Sequence, residues 1–198
     1  MPSFDAYHGT TRTSAEAILK SREFKPGAPR DDHWLGKGAY FFRDDLESAK
    51  LWAISKIKET PGLTHETPYV LIAKIEVPDE NFLDLDSREG LNKLNTLTRK
   101  YRGGFKLKGN TPREKTPAQI RHIVMTWLPE SIWVIQRTFP VPSVYDKFLL
   151  FNAMGLGLNS RQVCVRNSKA IIRDTIDCVF SRNGEIVHRK RKQPRFLG

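Results

Sequence analysis

Residues 35–57 read LGKGAYFFRDDLESAKLWAISKI, and this stretch decides the fold class. The apolar run Ala39–Phe42, entered from glycines, predicts a short buried strand. Asp44 followed three residues later by Glu47 predicts a capped helix start. Leu46, Ala49, Ala53, Ile54 and Ile57 then recur at helical spacing and give that helix one apolar face. Between strand and helix there is no glycine-rich phosphate loop. Gly36-Lys37-Gly38 is too short for a dinucleotide fingerprint or a P-loop. The unit is therefore not the opening of a doubly wound sheet.

Outward from it, three more helix starts carry the same capping signal: Thr13–Glu16, Asp86–Glu89 and Thr116–Gln119, the last with Pro117 at the first helical position. Ala15, Ile18 and Leu19 supply the apolar face of the first helix. Strands are expected at Asp5–His8, Ala39–Phe42, Tyr69–Val77, Asn81–Leu85, Ile132–Phe139 and Gln162–Arg166. The nearly continuous apolar start of residues 69–77 predicts a strand inside a sheet. Strands and helices mix without regular βαβ alternation, which predicts an α+β domain.

The chain has 198 residues, ample for one packed domain. A hydrophobic fraction of 39% argues against global disorder. No apolar run reaches membrane-helix length, and MPSFDAYHG is no signal peptide, so a cytoplasmic protein without membrane attachment is expected. Two cysteines, Cys164 and Cys178, make neither a disulfide scaffold nor a zinc site. Histidines 8, 33, 65, 122 and 188 are scattered without ligand spacing, and no metal is expected.

The formal charge of +11 is unevenly placed. Residues 88–121 hold ten Lys/Arg against Glu89 and Glu114, and residues 182–198 hold six against Glu185. The rest of the chain is slightly acidic. One domain over residues 1–181, with a basic insertion at about 88–121, and a basic tail over 182–198 follow. In the insertion Arg99, Lys100, Tyr101, Arg102, Phe105, Lys106 and Lys108 interleave rings with cations. Such a pattern suits single-stranded nucleic acid, whose bases stack while its phosphates meet Lys and Arg. A solvated loop with tucked-in aromatics is the plainer alternative.

Three pieces carry the chemistry: Tyr7-His8-Gly9-Thr10-Thr11 before a helix, Gly36-Lys37-Gly38-Ala39-Tyr40-Phe41-Phe42 before a helix bearing Ser48-Ala49 and Trp52-Ala53, and Gln162-Val163-Cys164-Val165 near the end. In these pieces, over roughly residues 4–170, the chain resembles the ADP-ribosyltransferase superfamily in its diphtheria-toxin/poly(ADP-ribose)-polymerase-like branch. The resemblance implies split central antiparallel sheets flanked by helices, and NAD⁺ as co-substrate. It implies that His8 bonds a ribose hydroxyl, that the Gly9 backbone, beside Thr10, clamps the carboxamide, and that Tyr40 stacks on the nicotinamide. Ser48 would reach the carboxamide, Trp52 would form an opposite wall, and Arg30 or Lys25 would meet the pyrophosphate.

One position departs from the family pattern. Where many members carry a catalytic Glu, this chain has Gln162, which orients a hydroxyl but takes no proton. That favours transfer of a single ADP-ribose. The other acids considered for the role are Glu130 and Glu185. Cys164 reads as a small core side chain. By this resemblance the expected function is mono-ADP-ribosyl transfer to nucleic acid, RNA favoured. Many small members are toxins of toxin–antitoxin or antiphage defence systems, so such a role, with an antitoxin partner, is a further expectation by analogy. The alternatives are a protein-modifying toxin or effector, a degenerate nucleic-acid-binding module, and an NAD-dependent RNA 2′-phosphotransferase, which the Gly-Lys-Gly-Ala-Tyr-Phe strand fits poorly.

Overall fold

A computed structural model describes residues 1–26, 34–104, 117–140, 154 and 158–181. Among these residues seven strands form one sheet: β1 (Ser3–Thr11), β2 (Ala39–Arg43), β3 (Pro68–Glu76), β4 (Phe82–Asp84), β5 (Val134–Pro140), β6 (Asn159–Val165) and β7 (Ile171–Ser181). Their order is β4-β5-β6-β2-β1-β3-β7. Among the described residues four α-helices accompany them: α1 (Arg12–Ser21), α2 (Leu46–Glu59), α3 (Arg88–Thr98) and α4 (Pro117–Thr126). The domain is α+β, with every described strand pair antiparallel except β4–β5.

The expected split into two sheets takes a different form. All seven strands belong to one ladder, but β1 and β2 pair only at Ala6–Arg43 and Tyr7–Phe42. On its other edge β1 pairs with β3 along its whole length, from Ser3–Glu76 to Thr11–Pro68. The sheet is continuous at one end of the β1–β2 joint and parted at the other.

Alternation along the strands sorts the core. Phe4, Ala6, Phe41, Leu71, Ala73, Ile75 and Val163 share one face and pack with Ala15, against Ile18 and Leu19 of α1. Each large apolar side chain buried there contributes about 1.5–3 kcal/mol. Phe42 and Val70, on the opposite face, pack under Ala49 of α2. Farther along that face, Leu35, Ile135 and Cys164 pack with Leu83, Met125 and Leu128.

Helix starts differ from expectation by a residue or two. The α1 cap is Thr11, not Thr13, because β1 stays extended through Thr11, whose hydroxyl accepts from the Ser14 N–H. Asp45, not Asp44, caps α2, since Asp44 is left-handed at φ 55° and Asp45 Oδ1 accepts from the Ser48 N–H at 2.9 Å. Ser87, not Asp86, caps α3. Residues 99–104, which open the glycine-containing stretch that suits a loop or flexible hairpin, form a 3₁₀ helix. Strand β7 was not expected at all. Its polar Arg173, Asp174 and Asp177, together with register shifts against β3, erase the alternation that marks a strand. The described helices include none long and apolar enough to cross a membrane.

Candidate functional site

The parting of β1 from β2 creates the site. The Asp5 carbonyl accepts from the Asp44 N–H, while the Arg12 N–H donates to the Thr67 carbonyl beside β3. Odd residues of β1 therefore turn their peptide groups toward β2 and even ones toward β3. After Tyr7 the next odd residue is Gly9, and there the β2 ladder has ended. Among the described residues its peptide edge on that side has no strand partner.

The Tyr40 carbonyl, which would have taken the Gly9 N–H in a continued ladder, meets the His8 ring instead. Nδ1 lies 2.7 Å from it. A carbonyl only accepts, so Nδ1 carries the proton and Nε2 keeps its lone pair. The ring packs edge-on to Phe24 at 5.1 Å and against Phe41 at 5.5 Å between centroids. Burial pushes the His8 pKa down to about 4, opposed by the Tyr40 carbonyl and reinforced by the Lys56 charge. His8 is thus a neutral hydrogen-bond acceptor at ordinary pH, half-buried and facing a cavity.

That cavity has a volume of about 600 Å³. It takes Ser14, Ile18 and Phe24 from one face of the sheet, and Trp52, Ser55, Lys56 and Glu59 of α2 from the other. His8, Gly9, Thr10, Tyr40 and Gln162 line it between them, with Lys25 and Trp34. Gly9 has a second constraint. A Cβ there would lie 2.0 Å from the Ala49 carbonyl oxygen, so only glycine lets α2 sit this close to β1.

Tyr40 is fixed by its hydroxyl, which donates to the Gly36 carbonyl at 2.7 Å and accepts from the Leu35 N–H at 3.0 Å. Gly36 is left-handed at φ 84°, a conformation that bends the chain back beneath the tyrosine. Behind it Cys164 is fully buried, and burial raises its thiol to about 12, which rules out a thiolate nucleophile.

Of the residues named from sequence, His8, Gly9, Thr10, Tyr40, Trp52, Gln162 and Lys25 meet in one cavity. Ser48 does not line it. Its N–H completes the α2 cap on Asp45, one turn before Trp52. Glu130 is exposed in the turn before β5 and also lies outside the lining. Arg99 and Lys100 are exposed at the end of α3, and Lys100 lies over the Tyr101 ring at 4.8 Å. Tyr101 stacks on Trp127 at 5.5 Å, so one ring face is already covered. Arg102 is placed by its backbone alone. Arg30, Phe105, Lys106, Lys108, Glu185 and the tail 182–198 lie outside the described residues. Sequence reading missed Lys56 and Glu59, whose signal is their helical spacing from Trp52. The described residues contain no cluster of metal-ligating type.

No protein-family model matches the chain. It is 47% identical over 47 residues to an uncharacterized protein of Methanocaldococcus jannaschii, a match covering 23% of this chain and 22% of that protein. No solved structure matches.

Proposed function

We propose that the protein transfers a single ADP-ribose from NAD⁺ to a nucleic acid, RNA above DNA. The observation that carries this reading is the Gly9 peptide edge left open beside a neutral His8 in the gap. A carboxamide needs one donor and one acceptor side by side, which a free strand edge supplies. The His8 Nε2 lone pair accepts from a ribose hydroxyl. Tyr40 and Trp52 offer ring faces to the nicotinamide, and Lys25 and Lys56 face the pyrophosphate charge. Cleavage of the nicotinamide–ribose bond passes through an oxocarbenium-like state, so holding the ribose rigidly is most of the task.

The acceptor half rests on charge. The positive excess is gathered in residues 88–121 and 182–198, as a phosphate-binding surface requires. The test incubates the protein with labelled NAD⁺ and separates RNA, DNA and protein. Label in RNA is expected, with nicotinamide released in step. Label confined to protein would replace the acceptor, and no NAD⁺ consumption would overturn the transfer reading.

A nucleic-acid-binding module on an inactive transferase fold is the second reading, favoured by the amide of Gln162 where a carboxylate is expected. It requires RNA binding that survives His8→Ala and Tyr40→Ala, with no nicotinamide released by the wild type.

A further inference from the structure

Residues Trp52, Ser55, Lys56 and Glu59 follow one another at spacings of three, one and three, which places them on one face of α2. That face forms a wall of the cavity. Glu59, at its end, is the one carboxylate among the described residues that line it. Its Oε1 accepts from the Ser55 hydroxyl at 2.5 Å, and Ser55 itself lines the cavity. The hydrogen bond holds the carboxylate along the cavity-facing stripe of the helix. Gln162, from β6, lines the same cavity and carries no exchangeable acid.

We propose that Glu59 is the general base of the reaction, taking the proton from the acceptor hydroxyl. This assignment rests on the transfer reading above. The task needs a group that binds a proton, sits in the cavity and stays open to an incoming acceptor. Glu59 is exposed at the end of its helix, where a large acceptor has room, whereas Gln162 is half-buried in the sheet. The step balances without a further reactant. The acceptor O–H bond breaks and its proton goes to the Glu59 carboxylate. The oxygen's electron pair forms the new bond to ribose C1′. The C1′–nitrogen bond breaks, and its pair stays on the nicotinamide and cancels the pyridinium charge. Gln162 keeps a positioning role, bonding a ribose hydroxyl through its amide.

The experiment uses the full chain with labelled NAD⁺ and RNA, and reads transfer rate and NAD⁺ affinity separately. Glu59→Gln is expected to slow transfer by about 100-fold or more, the usual share of a general base, with NAD⁺ affinity within about threefold. Glu59→Asp should retain an intermediate rate. Adding Gln162→Glu to Glu59→Gln should recover about tenfold, because a carboxylate returns to the cavity from the other wall. Far-UV circular dichroism checks folding of each variant. A Glu59→Gln rate within about threefold of wild type overturns the assignment, as does a loss of NAD⁺ affinity in proportion to rate. A wild type that consumes no NAD⁺ instead removes the transfer reading, and the base assignment with it.

Discussion

Strand β1 has two edges that could hardly differ more. Toward β3 its register runs unbroken from Ser3 to Thr11; toward β2 it stops after Ala6 and Tyr7. The same residues are thus rigid on one side and open on the other. A strand fully paired along one edge can leave its other edge unpaired over a few residues without fraying. The paired edge holds the backbone still, and the open edge presents peptide groups, a ring nitrogen and a cavity. The His8 ring completes the arrangement by satisfying the Tyr40 carbonyl that the missing ladder would orphan.

The largest effect should come from closing the contact that seats α2 beside the open edge. Gly9→Val puts a side chain where the Ala49 carbonyl oxygen stands, and a cost of about 3 kcal/mol or more is expected in urea unfolding. A loss below about 1 kcal/mol would show that α2 yields freely and that the gap is not held open by this packing.

Next comes the pH dependence of His8. Its folded pKa, near 4, is below the ordinary 6.5, so the unfolded chain takes up the proton first as pH falls. The stability that the neutral ring supplies is complete above about pH 6.5 and declines toward pH 4, by at most about 1.4 kcal/mol per pH unit. His8→Gln, which can still donate to the Tyr40 carbonyl, should flatten this part of the stability curve. An unchanged slope would mean that the ring is not the group that titrates.

Tyr40→Phe separates hydroxyl from ring. Losing the bonds to Leu35 and Gly36 should cost about 1–2 kcal/mol. Because the ring face remains, NAD⁺ affinity should fall less than in Tyr40→Ala, as titration calorimetry would record. Smallest of all is the effect of replacing both Arg99 and Lys100 by Gln. Both are exposed, so stability should move by no more than about 0.5 kcal/mol. If they meet phosphates, the salt dependence of RNA binding should weaken by about two counterions.

Much of this was legible before the structure. The β1 motif, the glycine–tyrosine strand and the α2 pattern each depend on neighbours in sequence, and His8, Gly9, Thr10, Tyr40 and Trp52 from them line one cavity, while Ser48 does not. The gap itself was not legible, because a ladder that stops after two pairs leaves no mark on composition. The parallel β4–β5 pair was hidden for a similar reason, joining Phe82–Asp84 to residues some fifty positions later. Glu59 was passed over because an exposed Glu at a helix end usually serves only solvent. Its neighbours on the Trp52 stripe give it a different setting, and they matter only once Trp52 is known to face a cavity.

The cavity draws its walls from helices on opposite faces of the sheet, α1 with Ser14 and Ile18, α2 with Trp52 and Glu59. A slot of that kind is bounded by both layers that cover the sheet, so a shift of either helix changes its width. On the transfer reading proposed above, a donor lying along one helix would leave the opposite wall to its acceptor. On that reading the transfer is a direct displacement in a ternary complex.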